Sequence, residues 1–335
     1  MTSSTISSLN ISAMTVGEII SRSWRLYRLN FKEVFLYTLI PSVVFVVAQI
    51  FFNVPYLISA NPTTQPDPGM ILGLCCAIYP IGFLLLFAGL FVAIFFNACM
   101  IKAFYNIITG IESNNKEIIE YIKNNIVSFL KLAGLIILEV LIFSAIDTVL
   151  FIVAYFIMLI PMFISAMLAA IHPAFGIIGL VVSILIFFIT FMLLAVVFML
   201  QFFFCSMQIV IVVIEKIPVF KSITKSIDII SKDLSRSSAF AFTLFLLWYV
   251  LLFFFNLPST ILVVFIMFKE GFASSPHPPF TVIMVATVWN YVAAMLIWPF
   301  IISAITLFYY DMRVRLEGLD LRMAIKGERK EIQLY

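Results

Sequence analysis

Charge is scarce along this chain. Asp, Glu, Lys and Arg make up 11% of its 335 residues and hydrophobic types 64%, at a mean hydropathy of +1.17, whereas a soluble domain carries about 25% charged and about 45–50% apolar residues. A fold with that balance cannot keep its surface in water, which excludes a soluble globular protein. No stretch is long and polar enough for a second, aqueous domain, so one membrane-embedded domain is expected although length alone suggests two. Histidine is nearly missing. His172 and His277 each precede a proline, and two isolated imidazoles are too few for a zinc site unless carboxylates join them. The role expected of them is helix-start punctuation. Cys75, Cys76, Cys99 and Cys205 lie in apolar stretches without the paired spacing of a zinc site, so buried thiols are expected. There is no Gly-rich phosphate loop, no Gly-x-Ser-x-Gly elbow, no His-Glu-x-x-His and no basic, aromatic-interleaved surface. Neither enzyme chemistry, a cofactor, a metal nor a nucleic-acid partner is therefore expected.

What is present is apolar sequence in long runs: Val34 to Ser59, Met70 to Ile101, Ile126 to Ile214, Ser238 to Phe268 and Thr281 to Tyr310. A membrane-crossing helix needs ~20 such residues, up to about 25 when tilted, so the third run holds at least two. Pro161 and Ile171-His172-Pro173 mark its break. Six spans result, or eight if the middle region folds into four. Lipid offers no hydrogen bonds to the backbone, which leaves helices or a closed barrel, and continuous rather than alternating apolarity selects helices. The expected fold is an all-α, polytopic transmembrane helical bundle of about six spans.

The basic residues set the orientation, because Lys and Arg gather in cytoplasmic loops. Of the twenty, all but Lys269 fall before span one, between spans two and three, between spans four and five, or after span six. Both termini are thus expected in the cytoplasm, in a bacterial inner (plasma) membrane. Met1 to Thr15 has no Lys or Arg, so the charged start of a cleaved secretory signal is missing. The expected layout is a polar tail over 1–15, one transmembrane domain over 16–318 and a charged cytoplasmic tail over 319–335.

A common plan recurs three times, over about 16–110, 115–216 and 219–318: an amphipathic segment, an odd-numbered span, a proline-bearing outer loop and a returning span. Arg22-Ser23-Trp24 aligns with Lys225-Ser226-Ile227, and Phe51-Phe52-Asn53-Val54-Pro55 with Phe254-Phe255-Asn256-Leu257-Pro258, both 203 residues on. In the middle copy Glu117-Ile118-Ile119 echoes Glu18-Ile19-Ile20, and Pro68, Pro173 and Pro278 are evenly spaced. Duplication of a helix-pair unit is the inference. In Glu18 to Phe31, helical spacing puts Ile19, Ile20, Ser23, Trp24, Tyr27 and Phe31 on one side and Arg22, Arg25 and Arg28 largely off it. Such a segment is expected to lie flat at the cytoplasmic face, with Trp24 and Tyr27 at headgroup depth.

At the third amphipathic segment and after the last span, Val213-Ile214-Glu215 leading into Lys225-Ser226-Ile227, and Tyr309-Tyr310-Asp311-Met312-Arg313-Val314-Arg315-Leu316-Glu317-Gly318-Leu319-Asp320, resemble the membrane domain of glycerophosphoryl diester phosphodiesterases and related bacterial membrane proteins. The resemblance implies the fold of the membrane part. The family's catalytic barrel works with a His-Arg pair, which is missing here, so its activity is not expected. Asp311, Arg313, Arg315 and Glu317 have the i, i+4 spacing of internal pairs. With Arg22, Arg25, Arg28 and Lys225 they form a candidate cytoplasmic headgroup or docking patch, or else a staple tying the last span to Glu215 and the repeat helices.

Two carboxylates, Glu139 and Asp147, lie within the third span, where each costs on the order of 2.5–3.5 kcal/mol when ionised. Eight residues apart, they stand about 80° apart around a helix, which allows both to face one interior cavity. Uncharged partners on other spans include Gln49, Asn97, Gln201, Gln208 and Asn290. Asp147, Glu139, Asn97, Gln201 and Asn290 are the candidate intramembrane polar site, read either as a proton or cation site in a transport path or as protonated carboxyls bonded between helices. The leading expectation is a non-enzymatic scaffold or accessory component linked to phospholipid or glycerophosphodiester metabolism, with membrane lipids and a membrane or cytoplasmic protein as partners. The alternative is a transporter or lipid-handling permease using an intramembrane acid.

Overall fold

A computed structural model describes residues 13–59, 68–111, 114–270 and 280–318. In these residues the chain is an all-α, multi-pass membrane bundle. A short helix followed by two long ones occurs three times: α1 (Val16–Leu29), α2 (Phe31–Ser59) and α3 (Pro68–Thr109); α4 (Asn115–Asn124), α5 (Ile126–Ile171) and α6 (Pro173–Glu215); α7 (Val219–Lys232), α8 (Leu234–Glu270) and α9 (Phe280–Glu317). The six long helices are apolar and long enough to cross a membrane. The middle run forms two helices rather than four. Pro161 does not break α5, which runs on to Ile171; the break comes at His172, whose Nδ1 accepts from the Ala174 N–H at 3.2 Å and caps α6. Pro173 takes the first helical position, where no N–H is required. His277 and Pro278 lie outside the described residues, as do residues 319–335.

Each short helix meets its long partner at an elbow. Asn30 and Asn125 return their side-chain amides to the carbonyls of Leu26 and Tyr121 at 2.9 and 2.8 Å, closing the last turn while their own carbonyls start the next helix. Asp233 stands at the third elbow, its Oδ1 accepting from the Arg236 N–H at 3.1 Å. Each returning helix then ends on a residue in the left-handed region: Gly110 (φ 69°), Lys216 (φ 55°) and Gly318 (φ 58°). Glycine adopts that conformation freely; at Lys216 a Cβ crowds the following carbonyl.

The core lies at the end of the bundle where α1, α4 and α7 sit. From Pro299 to Met312 every residue of α9 is buried, so this helix is the axis around which the others pack. Phe203, Phe240 and Phe308 from α6, α8 and α9 meet there, with ring centroids 4.2–5.6 Å apart. The short helices pack onto this core. In α1 the buried stripe is Ile19, Ser23, Leu26 and Tyr27, against α9. Tyr27 donates its hydroxyl to the Leu296 carbonyl at 2.6 Å, and burial pushes its pKa up to about 12. Small Ser23 permits the approach: the Ser303 hydroxyl reaches its carbonyl at 3.3 Å. Tyr27 is therefore a core residue, whereas Trp24 is half exposed and packs edge-on against Phe300. Buried Ser222, Ser226 and Ile229 of α7 stand 203 residues beyond Ile19, Ser23 and Leu26.

Away from this end the helices splay. α5 packs chiefly on α6, and beyond Val149 their large side chains, Phe151, Phe156, Phe163, Ile178 and Phe188 among them, are exposed. Close contact there depends on small residues. A Cβ at Gly176 would meet that of Ala169 at 2.5 Å, one at Gly179 would meet Ser165 Cβ at 2.6 Å, and the Ser165 hydroxyl donates to the Gly176 carbonyl at 3.0 Å. Cys99 and Cys205 are buried as expected, but Cys76 is exposed on the outer part of α3.

Candidate functional site

All six long helices contribute to one cavity of ≈ 450 Å³. α2 supplies Tyr37, Ser42 and Phe45, α3 supplies Leu90 and Asn97, and α8 and α9 supply Trp248, Tyr291 and Trp298. From α5 come Ile136, Ile137, Val140, Phe143, Ser144 and Asp147, and from α6 Phe198, Gln201, Phe202 and Cys205. The α5 residues recur at three- and four-residue steps, which puts them on one helical stripe. α2 and α5 both line the cavity, yet α5 finds its packing on α6, α3, α4 and α7.

Polar groups in the wall are few, and Asp147, Asn97, Thr38 and Ser144 bond to a neighbouring helix or back to their own. Asp147 accepts from the Gln201 amide at 3.0 Å across α5 and α6, its single polar partner among the described residues. The indole N–H of Trp298 donates to Asn97 Oδ1 at 2.7 Å, fixing the ring across α9 and α3. Thr38 and Ser144 return their hydroxyls to their own helices. Among the described residues the lining holds no lysine, arginine or histidine, and Asp147 is its one charged side chain.

Three of the five candidate intramembrane residues, Asp147, Asn97 and Gln201, thus share the cavity. Glu139 does not. It lies about 100° round α5 from the middle of the lining stripe and turns to α6, where Gln208 donates to it at 2.7 Å and the Cys205 thiol stands at 3.8 Å. Asn290 is exposed and bonds to Asn256 at 3.2 Å. The two carboxylates therefore serve separate places, each with a glutamine of α6 as partner.

The charged candidates at the other end form two knots. Asp311, fully buried, accepts from Arg236 at 2.5 and 3.1 Å, from Arg315 at 3.1 Å and from the backbone N–H of Met14 at 2.6 Å. Both guanidiniums also donate to the Met14 carbonyl, which pins the chain just ahead of α1 between α8 and α9. In the second knot Glu215 accepts from Lys225 at 2.6 Å and from the Tyr309 hydroxyl, with Arg313 at 3.8 Å. Glu317 pairs with Arg313 at 2.9 Å and stands 3.7 Å from Lys225. Asp311, Arg313, Arg315, Glu317 and Lys225 are consequently engaged with one another or with Glu215 and Arg236, in the geometry of a staple. Arg25 and Arg28 are exposed on α1, and Arg22 is partly buried.

No family model, curated protein or solved structure matches the chain. Among the described residues no three His, Cys, Asp or Glu side chains gather to hold a metal ion. Sequence reasoning missed the Arg236–Asp311 pair and the seat of Met14, because contacts between residues 75 and 297 positions apart leave no local pattern. It also missed the elbows, although Asn30 and Asp233 share the 203-residue offset.

Proposed function

We propose that this chain works as a transporter or lipid-handling permease, without enzyme chemistry of its own, in a bacterial inner membrane with both termini in the cytoplasm. The observation that carries the reading is the cavity among the six long helices, with Asp147 and its Gln201 partner in the wall. Cavities of about 300–1,000 Å³ with an apolar wall and a few placed polar groups are the usual form of small-ligand sites, and an acid inside a membrane span is costly enough to need a task. Orientation is supported by the basic residues, all but Lys269 of which belong to one side. Descent from three copies of one unit is supported by the recurring elbows, the three left-handed caps and the matching buried stripes of α1 and α7; transporters commonly bind ligand between such repeats.

The test is uptake into proteoliposomes across a panel of tritiated amphiphiles and small solutes, comparing the native chain with Asp147→Asn and Trp298→Ala. Accumulation above empty liposomes, reduced tenfold or more by either substitution, supports the reading; a panel indistinguishable from empty liposomes for all three proteins rejects it. A second reading, a scaffold or accessory component linked to phospholipid or glycerophosphodiester metabolism, is favoured by the likeness of Tyr309 to Asp320 to the membrane domain of glycerophosphoryl diester phosphodiesterases. It would show as an altered phospholipid composition in cells lacking the protein, restored in full by Asp147→Asn.

A further inference from the structure

Electrostatics and shape together narrow the ligand class of this cavity, given the reading above of the cavity as a ligand site. The wall contains one carboxylate and, among the described residues, no cationic side chain. Gln201 gives Asp147 a single neutral hydrogen bond at 3.0 Å, so the wall offers this carboxyl group no counter-charge. A carboxylate in a medium of low dielectric is tolerated when it is paired, and a cationic ligand would supply the partner that the wall lacks.

The aromatic groups point the same way. Trp248 and Trp298 meet edge to face at 5.5 Å, and Phe202 stands edge to face on Trp298 at 5.6 Å. All three rings line the cavity, and the negative face of an indole attracts a cation, most strongly where water is excluded. The Asn97 acceptor holds the Trp298 indole by its N–H, so the ring is fixed in place before a ligand arrives. A phosphate headgroup finds no donor cation in this wall and is repelled by Asp147. A neutral apolar molecule would leave the carboxylate unpaired.

From these features we infer that the cavity takes a lipophilic monovalent cation, an organic ammonium or phosphonium whose apolar body fills the aromatic wall and whose charge lies against Asp147.

Three probes of related shape and different charge test this: tetraphenylphosphonium, tetraphenylborate and uncharged triphenylphosphine oxide. Binding to the protein in nanodiscs is read by equilibrium dialysis against empty nanodiscs and by quenching of tryptophan fluorescence. The cation is expected to bind at least tenfold more tightly than the oxide, with tetraphenylborate no better than the empty discs. Asp147→Asn, which keeps the side-chain shape, is expected to abolish the preference while leaving oxide affinity within twofold, and Asp147→Glu to retain it. If the oxide or the borate binds as well as the cation, or if Asp147→Asn keeps the preference, the inference is wrong while the cavity still stands as a ligand site. If none of the three probes binds above empty discs, the cation inference and the ligand-site reading fall together.

Discussion

Replacing Asp311 by asparagine is the sharpest test of how the polar end is held. The substitution preserves shape and leaves an oxygen to accept the Met14 N–H, but it removes the charge and turns the acceptor that faces the two guanidiniums into a donor. Asp311 is 0% exposed and its Arg236 partner 16%, whereas Arg315 is 36% exposed. Breaking a buried pair from one side costs about 3–5 kcal/mol because the remaining charge stays desolvated, and a solvent-screened pair contributes about 0.2–1 kcal/mol. Asp311→Asn is therefore expected to cost at least about 3 kcal/mol. Arg236→Ala, which leaves Asp311 with Arg315, should cost about 1.5–3 kcal/mol for its charged hydrogen bonds. Arg315→Ala should cost less than about 1 kcal/mol. The assay is reversible unfolding of the purified protein in mixed micelles by increasing SDS fraction, with limited proteolysis ahead of α1 as a local readout, since loss of the knot frees the Met14 segment. Equal costs for the three variants, or an Asp311→Asn variant within 0.5 kcal/mol of the native chain, would refute the reasoning.

Other consequences can be checked on the same preparation. Lys216→Gly relieves a side chain in the left-handed region and is expected to stabilise by about 1 kcal/mol, read in the same unfolding assay. Gly179→Leu forces a side chain where Ser165 Cβ stands 2.6 Å from the nearest added carbon and should cost about 1–3 kcal/mol, with a spin-label distance between α5 and α6 increasing near Pro161. The Thr15 backbone N–H, then its hydroxyl, hold the Glu18 carboxyl below its ordinary range. That contribution to the start of α1 is present above the usual carboxylate pKa and lost as pH falls through the depressed one. Carbon-13 titration should show the Glu18 midpoint rising in Thr15→Ala, where only the hydroxyl is removed; an unchanged midpoint would disprove the capping box.

Much of the fold was legible because lipid imposes coarse rules. Long apolar runs mark spans, and the i, i+4 spacing of Asp311 with Arg315 and of Arg313 with Glu317 forecast pairs that form at 3.1 and 2.9 Å. The amphipathic pattern of α1 was equally plain, but hydropathy does not say what covers an apolar stripe. Lipid and the face of α9 are both apolar, and Ser23, with its close approach to Ser303, was the better clue. In the candidate site, glutamines of α6 were foreseeable partners for the two acids, while the rotation separating Glu139 from Asp147 depends on where α6 packs. Proline proved a weak signal inside a span: α5 carries Pro161 without interruption, since a long helix held by a neighbour tolerates one missing bond.

The length of the middle hairpin has a mechanical consequence. α5 has 46 residues and α6 has 43, which at 1.5 Å each makes α5 about 69 Å long, against a hydrocarbon layer of about 30 Å. Even leaning at about 40°, the far end of the usual range, such a rod still projects more than 50 Å along the normal, by the order of magnitude of that geometry. Its greasy tip thus has no resting place in an undeformed membrane. Either the rod flexes within the leaflet or the surrounding lipids stretch to meet it, and the strain should make the protein favour thick patches of bilayer over thin ones.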